Sequence, residues 1–286
     1  MFRRTFAIVA ALVAALAVVS LSAAAHRQSG TARPHRLISL SPTVTEDLFA
    51  IGAGKQVIAV DQDSNYPRRA PRTRLSGVTP NVEAIANYHP DVVLISYNPS
   101  GFASQLRKLG IKVVNVPAAS NLKGTYREIL QLGRLTGHPR GAAALVHSMK
   151  TRLAAITRSV PASRRHLRVY HELDPTYYSA TSSTFIGSIY KLFGLQNIAD
   201  QAKGAESGYP QLSAEYIIQQ NPQIVVLADT KCCRQTGATV AARPGWSTIA
   251  AVRHHRVVGV GDDIASRWGP RIVQFARAVA RIARKG

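Results

Sequence analysis

Two adjacent aspartates and an arginine, Asp262, Asp263 and Arg267, are the residues of this sequence whose types come closest to supporting a reaction. Neighbouring carboxylates can act as general acid and general base when their surroundings separate their pKa values. Such chemistry also needs a nucleophile or a second acid–base partner, and none is evident nearby in the sequence. The spacing therefore favours an ion pair that positions a ligand over the carboxylate pair of an enzyme.

Other short motifs typical of enzymes are incomplete in this chain. The segment Gly52-Ala-Gly54-Lys55 resembles part of a phosphate-binding loop, but no Ser or Thr follows the lysine. Neither Gly-x-Ser-x-Gly nor His-Glu-x-x-His occurs in the sequence. We therefore predict a protein that is not an enzyme, with no catalytic residue, no metal site and no cofactor of its own.

The two cysteines, Cys232 and Cys233, are neighbours in sequence. In an exported protein they would tend towards oxidation, although a bridge between adjacent residues is geometrically strained. Two free thiols, a vicinal disulfide and joint binding of a thiophilic metal all remain compatible with the sequence. Two ligands without a third at metal-binding spacing are weak grounds for a metal site.

The N-terminus has the composition of an export signal. Arg3 and Arg4 precede an uncharged run, residues 5–25, which ends in the small residues Ser22-Ala-Ala-Ala25. This is the order of a secretory signal peptide, and the two arginines also form part of a twin-arginine signal. No cysteine follows the run, so we expect no lipid anchor. We predict a signal peptide over 1–25 and a periplasmic or otherwise extracytoplasmic protein, with an uncleaved membrane anchor as the alternative.

The formal net charge of +21 is large for 286 residues. Such a charge would suit nucleic acid, an anionic membrane surface or an acidic small molecule as a partner. The basic residues are scattered, without a basic stripe interleaved with aromatics and without zinc-finger spacing. We therefore interpret the charge as an arginine-rich solvated surface and predict no nucleic-acid partner.

The positions of these residues depend on an alternation of apolar runs and helix-like segments. Short apolar runs such as 91–95 and 224–228 are separated by segments with a helical period. This alternation predicts an α/β protein with parallel sheets covered on both faces. Thr43 and Glu46 have the spacing of a capping box and predict the start of one helix.

The longest helix-like segment, residues 139–161, stands in the middle of the chain. Pro139 suits the first turn of a helix, and apolar residues then recur close to every 3.6 positions. Pro161 ends the segment, because a proline disfavours helical geometry in the residue before it. The pattern predicts one continuous helix of about 20 residues, roughly 30 Å long.

The chain repeats a pattern on either side of this helix. Glu83 precedes Pro90 by seven positions, as Glu215 precedes Pro222, and each proline is followed by an apolar run. We interpret both as a helix, a proline-containing turn and a buried strand, used once in each half. The predicted organisation is an N-terminal α/β lobe over 35–138, a connecting helix over 139–161 and a C-terminal α/β lobe over 166–286.

Five short segments keep a characteristic order around the long helix: 36–42, 64–67, 82–83, 209–215 and 263–271. Together they resemble the cobalamin and iron-chelate substrate-binding proteins of ABC importers, and most closely the cobalamin-binding member. The resemblance implies two Rossmann-like lobes with mainly parallel sheets, joined by a single long helix, with the ligand in a cleft between the lobes. It also implies one exposed glutamate in each lobe that docks on arginines of the membrane permease.

The resemblance assigns roles to individual residues. Tyr66 corresponds to a cleft tyrosine, and Tyr209 stands where the cobalamin binder has a tryptophan. Loop aromatics near the ends of parallel strands add two further candidates, since ligands bind there in α/β sheets. The predicted ligand-binding residues are Tyr66, Tyr177, Tyr209, Asp263, Arg267 and Trp268. The predicted docking residues are Glu83 and Glu215.

The chain departs from the family in one respect. The aromatic that the family places shortly before the first docking glutamate is missing from residues 77–80. The positive charge and the tyrosines also suit haem or a ferric chelate, for which a tyrosinate can be an axial iron ligand.

The sequence therefore predicts a monomeric solute-binding protein that captures cobalamin or a related metal chelate and delivers it to an ABC import permease. A haem or ferric-siderophore binding protein is the alternative within this class. An α/β enzyme that uses the Asp263/Arg267 pair is the alternative from another class.

Overall fold

The computed structural model describes residues 34–99 and 101–285, and the predicted signal peptide over 1–25 lies outside them. The described part contains two four-stranded sheets in which every pairing of neighbouring strands is parallel. The predicted two-lobed α/β fold is therefore confirmed. No helix among the described residues is long and apolar enough to cross a membrane.

The N-terminal lobe is built on sheet A, in the order β2-β1-β3-β4. Its strands are β1 (Leu37–Leu40), β2 (Val57–Val60), β3 (Val92–Ile95) and β4 (Lys112–Asn115). Its helices are α1 (Pro42–Ala50), α2 (Val82–Ala86), α3 (Phe102–Lys108) and α4 (Leu122–Thr136). The central strands β1 and β3 are buried along their whole length, which is why they carry apolar runs.

The C-terminal lobe is built on sheet B, in the order β6-β5-β7-β8. Its strands are β5 (Arg168–Glu172), β6 (Gln196–Asn197), β7 (Ile224–Leu227) and β8 (Val257–Gly259). Its helices are α6 (Phe185–Leu192), α7 (Ala214–Gln220), α8 (Gly237–Ala241), α9 (Ala250–Arg253), α10 (Asp262–Ser266) and α11 (Ile272–Arg284). The strand order repeats that of sheet A, so the two lobes share one topology.

The two lobes are joined by the long helix α5 (Pro139–Arg158), which ends three residues before the predicted boundary. Its apolar stripe, including Ala142, Val146 and Met149, packs into a hydrophobic core that contains residues of both lobes. A side chain at Gly141 would collide with the backbone carbonyl of Ile51, so the first turn of α5 lies directly on the end of α1. The helix is therefore held by close packing as well as by chain connection.

Helix α11 returns from the C-terminal lobe and packs against α5. At its end, Nη1 of Arg284 donates a hydrogen bond to Oγ of Ser159, 3.3 Å away. Each sheet also has a smaller core on its other face, around Ile38 and Val93 in the N-terminal lobe and around Tyr170 and Val225 in the C-terminal lobe. The shared core leaves the carboxyl ends of the strands and their loops to carry polar residues.

Candidate functional site

The carboxyl ends of strands in both sheets lead into loops that meet each other. Asn65, in the connection after β2, donates from Nδ2 to Oδ2 of Asp263, which follows β8, over 3.1 Å. Nη2 of Arg267 donates to the backbone oxygen of Asp63 at 2.9 Å. The edges at which parallel sheets bind ligands are thus brought together across the two lobes. We name this region the interlobe junction; it comprises Glu46, Asp63, Asn65, Asp263, Arg267 and Arg271.

Glu46 of α1 is the centre of the junction. Its carboxylate is almost fully buried and accepts from Nη1 of Arg267 at 2.8 Å. It also accepts from Nε and Nη2 of Arg271, at 2.8 and 2.6 Å. Two cations of the C-terminal lobe therefore share one carboxylate of the N-terminal lobe, and this pairing ties the lobes together.

The capping box predicted for Thr43 and Glu46 is wrong. Helix α1 begins at Pro42 after Ser41, which has an extended backbone, and no side chain caps its first turn. Thr43 lies inside the helix, and Glu46 turns instead to the two arginines. Charged partners from the other lobe outcompete a backbone N–H as partners for the carboxylate, since an ion pair with a guanidinium forms stronger hydrogen bonds.

Asp263 and Arg267, predicted as ligand contacts, pair with each other at 2.9 Å. Asp263 also accepts from Nζ of Lys231 at 2.6 Å. Burial acts to raise the pKa of Asp263, but the hydrogen bond from Lys231 and the charge of Arg267 outweigh it, and the pKa lies below its ordinary range. Arg267 is itself buried, with both terminal nitrogens bonded to protein. A contact of Arg267 with ligand stays a prediction, and it would compete with these bonds.

Tyr66 lies beside the junction and is 45% exposed. The guanidinium of Arg271 lies over its ring, 4.5 Å from the centroid. Arg271 is paired with Glu46 as well, so it holds the ring next to the interlobe ion pairs. Tyr66, Asp263 and Arg267 are therefore brought together as the sequence predicts, whereas their roles towards a ligand stay predictions.

Tyr177 and Tyr209 lie on two segments of the C-terminal lobe that pair with each other. The amide of Leu212 donates to the carbonyl of Tyr177 at 3.1 Å, and an isolated antiparallel bridge joins Tyr178 to Gln211. Tyr209 is about half exposed, and burial raises the pKa of its phenol. Binding of its oxygen to iron would have to release that proton.

Tyr177 is half-buried and packs into the lobe. Its ring stacks on Trp246 at 5.7 Å, and the guanidinium of Arg243 lies over both rings. Arg243 also forms a bidentate pair with Glu172 at the end of β5, with both contacts at 2.6 Å. The exposed tyrosine of this segment is its neighbour Tyr178.

Asp229, which follows β7, lies next to Glu172. Both of its carboxylate oxygens are buried without a hydrogen-bond partner among the described residues. Burial and the nearby charge of Glu172 raise the pKa of Asp229 to about 7. Its backbone oxygen accepts from the amide of Cys233, and Cys232 and Cys233 form a vicinal disulfide in this loop. Of the alternatives that the sequence leaves open for the cysteines, the structure contains the disulfide.

The side chain of Trp268 bonds to Glu128, a residue outside the set that defines the interlobe junction. Its Nε1 donates to Oε2 of Glu128 on α4 at 2.9 Å, and this bond is a second polar link between the lobes. Burial raises the pKa of Glu128 to about 7, although the hydrogen bond from Trp268 acts in the opposite direction. No hydrogen bond or ion pair among residues 34–99 and 101–285 connects Trp268 to Tyr66 or Tyr209.

Glu83 and Glu215 occupy equivalent places in the two lobes. Each lies in the first turn of its helix, α2 or α7, two residues after a capping side chain, Asn81 or Ser213. Both are exposed, and neither has an ion-pair partner in the described part of the chain. Hydrogen bonds from its own backbone N–H and from Ser213 lower the pKa of Glu215.

Sequence reasoning missed several residues of this region, among them Glu46, Asn65, Arg243 and Arg271. It also missed Tyr97, which follows β3 and is 56% exposed. Ser96 alone separates Tyr97 from the end of the buried strand β3, so the rule that loop aromatics mark ligand sites could have found it. The charged residues carried no such local signal, because their partners are remote in sequence.

The chain is similar to a protein family and to individual proteins over most of its length. A family model described as "Periplasmic binding protein" matches residues 37–264. An ABC transporter substrate-binding lipoprotein of Bacillus subtilis is 31% identical over 257 residues, covering 86% of this chain and 79% of that protein. A cobalamin-binding protein of Halobacterium salinarum is 33% identical over 249 residues, covering 84% and 67%.

A solved structure is also similar to this chain. The crystal structure of a possible iron-binding, periplasmic solute-binding protein from Staphylococcus epidermidis aligns with a TM-score of 0.75 at 28% identity. The alignment covers 87% of this chain and 98% of that protein. The similarity therefore extends over both lobes.

Proposed function

Because this chain belongs to the periplasmic binding protein family, we propose that it captures cobalamin or a related metal chelate outside the cytoplasm and delivers it to an ABC import permease. The observation that carries this proposal is the meeting of two parallel-sheet edges at the interlobe junction, in a protein whose two lobes both carry exposed tyrosines in loops. Tyr66 and Tyr97 belong to one lobe, and Tyr178 and Tyr209 to the other.

Exposed tyrosines suit a large, flat and partly apolar ligand. An aromatic ring offers apolar area and a hydroxyl group at the same time, which is why tyrosine is enriched at binding surfaces. A corrin, a porphyrin or the aromatic arms of a siderophore can lie against such rings. Haem or a ferric siderophore is the second candidate, favoured by the net charge of +21 and by the possible iron-binding relative.

The proposed role is binding without catalysis. Asp263 would be the acid–base group of an enzyme, but its carboxylate is held by Lys231, Asn65 and Arg267. Its lowered pKa makes it a poor general base near neutral pH, since an efficient base has a pKa close to the working pH. The names of two relatives, an ABC transporter substrate-binding lipoprotein and a cobalamin-binding protein, support a binding role.

A binding screen on the purified protein tests the proposal. Cyanocobalamin, haem and a ferric siderophore are titrated separately, and the visible absorption of each ligand is recorded together with its recovery after removal of the protein. We expect tight binding of one ligand class and unchanged recovered ligand. Failure of all three to bind, or conversion of a bound ligand into product, would contradict the proposal.

Tyr66→Ala sharpens the screen. Loss of one ring contact should weaken binding by a few-fold to about tenfold, since aromatic contacts contribute about 0.5–1.5 kcal/mol beyond area burial. Tyr126→Ala is the control, because Tyr126 lies on α4 beneath Lys150 and lines a hollow that contains no residue of the junction. Equal losses in both variants would remove Tyr66 from the proposed site.

We further propose that Glu83 and Glu215 dock on the permease. Helix N-termini lie at the same edge as the carboxyl ends of neighbouring strands in a βαβ unit, so both carboxylates lie on the side of the ligand site. Exposed carboxylates on a basic protein can set the register of a partner that presents arginines.

Uptake through the cognate importer tests the docking pair. The variant Glu83→Ala/Glu215→Ala should keep ligand affinity and lose most uptake. Glu206→Ala is the matched single control, because Glu206 is also an exposed carboxylate near the start of a short helix. Normal uptake by a stable double variant would leave the two glutamates with a role in helix stability alone.

A further inference from the structure

Two arginines of the N-terminal lobe line an open hollow next to the interlobe junction. The hollow has a volume of about 600 Å³, within the usual range for small-molecule sites. Its lining residues are Ser64, Asn65, Pro67, Arg68, Ala70 and Arg72. Because the side chain of Asn65 also bonds Asp263 and Arg267, the hollow adjoins the region proposed to hold the ligand.

The guanidinium groups in the hollow differ from the other arginines of this region. Arg243 is paired with Glu172, and Arg267 and Arg271 are paired with Glu46. Arg68 and Arg72 are exposed, and their side chains make no hydrogen bond or ion pair with any residue of 34–99 or 101–285. Their donors are therefore open to an external anion.

The backbone that carries these arginines is fixed by hydrogen bonds. The amide of Val60, at the end of β2, donates to the carbonyl of Pro71 at 3.0 Å. The carbonyl of Val60 accepts from the amide of Thr73 at 3.0 Å and from its Oγ1 at 2.7 Å. Ala70 donates from its amide to Pro67 at 2.9 Å. A site on an ordered backbone loses less entropy on binding than one on an unattached loop.

We propose that Arg68 and Arg72 bind an oxyanion at the periphery of the transported chelate. A guanidinium matches the geometry of a carboxylate or a phosphate through two parallel hydrogen bonds. The ring of Tyr66 lies against Arg271 beside the junction, and its neighbour Asn65 belongs both to the junction and to the lining of the hollow. A chelate whose ring system lies against Tyr66 therefore needs a peripheral arm that passes Asn65 to contact Arg68 and Arg72. The inference rests on the proposed function and adds to it that the transported chelate has a negatively charged peripheral arm.

The same chemistry has two sources among the candidate ligands. Cobalamin carries a phosphodiester in its nucleotide arm, and haem carries two carboxylates. Cobinamide lacks the phosphodiester and its base, and haem dimethyl ester lacks the free carboxylates. Each pair therefore separates the contribution of the oxyanion from that of the metal-bearing ring.

The test compares the protein with its variant Arg68→Gln/Arg72→Gln. Dissociation constants are measured for cyanocobalamin, dicyanocobinamide, haem and haem dimethyl ester. For the pair that the wild type binds, the variant should weaken the oxyanion-bearing member about tenfold or more, as expected for hydrogen bonds to a charged group. Binding of the member without the oxyanion should change less than about twofold. The loss of the arginines and the loss of the oxyanion are then coupled, because each matters only while the other group is present. The pair that shows the coupling identifies the source of the oxyanion.

Arg69→Gln is the matched control. Arg69 is exposed and adjacent in sequence, but its guanidinium lies over the ring of Phe49, 5.3 Å from the centroid, and lines a different hollow. This variant removes the same charge from a residue that does not line the hollow, and it should change every dissociation constant less than about twofold, since a solvent-exposed charge that makes no contact with the ligand is screened by salt. The thermal unfolding midpoints of all variants are compared to exclude a loss of folding.

The outcomes separate the inference from the proposed function. Equal weakening of both members of a pair, an unchanged dissociation constant in the double variant, or an equal loss in Arg69→Gln would overturn the inference while the proposed function stands. Binding confined to a ferric chelate without a peripheral oxyanion would overturn it as well. No binding of any chelate by the wild type would overturn the proposed function and the inference together.

Discussion

In both lobes a buried glutamate pairs with arginine beside an aspartate without a hydrogen-bond partner among residues 34–99 and 101–285, yet the two arrangements connect different parts of the molecule. Glu46 is paired with Arg267 and Arg271, which come from the other lobe. Glu172 is paired with Arg243, which comes from its own lobe. The first arrangement determines how the lobes sit against each other, and the second shapes the aromatic surface of one lobe.

Each of these glutamates lies next to an aspartate whose carboxylate has no hydrogen-bond partner among the described residues. Asp47 is fully buried next to Glu46, and burial together with the charges of Glu128 and Glu46 raises its pKa well above the ordinary range. Asp229, next to Glu172, has a pKa raised to about 7. A buried carboxyl group without a hydrogen-bond partner is cheaper when it is neutral. Each lobe therefore combines one glutamate paired with arginine and one aspartate whose pKa is raised by burial.

Glu46→Gln should have the largest effect. It removes the negative charge shared by two arginines whose side chains are only 9% and 13% exposed. Arg271 then loses its one ion-pair partner among residues 34–99 and 101–285, and Arg267 keeps only the partly exposed Asp263, so the free energy of unfolding should fall by about 3–5 kcal/mol. Denaturant titration measures the change, with Glu206→Gln as an exposed control expected within about 0.5 kcal/mol of wild type. A loss below about 1 kcal/mol would show that Glu46 does not hold the lobes.

Glu172→Gln should lower the free energy of unfolding by less, about 2–3 kcal/mol. This is at or below the lower end of the range for a broken buried pair. Only one arginine loses its partner, and Arg243 keeps its contacts with Trp246 and with the side-chain oxygen of Gln235. The same denaturant titration gives the value. If Glu172→Gln destabilises the protein more than Glu46→Gln does, the assignment of the interlobe pair as the stronger one is wrong.

Asp229→Asn should reveal a pH-dependent contribution of smaller size. With a folded pKa near 7 and an unfolded pKa near 4, the unfolded state ionises first as the pH rises. The folded state then binds more protons, so this group lowers stability between about pH 4 and 7. In the variant this decline should be absent. Its free energy of unfolding, relative to that of the wild type, should therefore rise by roughly 1–3 kcal/mol from pH 5 to pH 8. Greater destabilisation of the variant at pH 8 than at pH 5 would contradict the assignment.

The smallest expected effect is the change of shape on ligand binding. The lobes are joined by the continuous helix α5 and tied by the Glu46 ion pairs, and bending a helix breaks backbone hydrogen bonds. Small-angle scattering should give radii of gyration within about 1 Å with and without ligand. Glu46→Gln should show a larger difference in the same experiment. Marked compaction of the wild type on binding would mean that the ion pairs do not restrain the lobes.

The sequence alone determined the features that depend on neighbouring residues. The period of apolar residues predicted α5, and the repeat around Glu83 and Glu215 predicted two equivalent helices. The alternation of apolar runs with helical segments predicted parallel sheets in both lobes. These signals are local, because helix capping and side-chain periodicity act over a few positions along the chain.

Only the tertiary structure decided which charged groups meet. Arg267 finds Glu46 across 221 positions, Trp268 finds Glu128 across 140, and Arg243 finds Glu172 across 71. The capping-box interpretation of Glu46 used its nearest neighbours and was wrong for that reason. A carboxylate takes the strongest donors that the folded chain brings within reach, and the identity of those donors depends on how the strand edges of the two lobes come together.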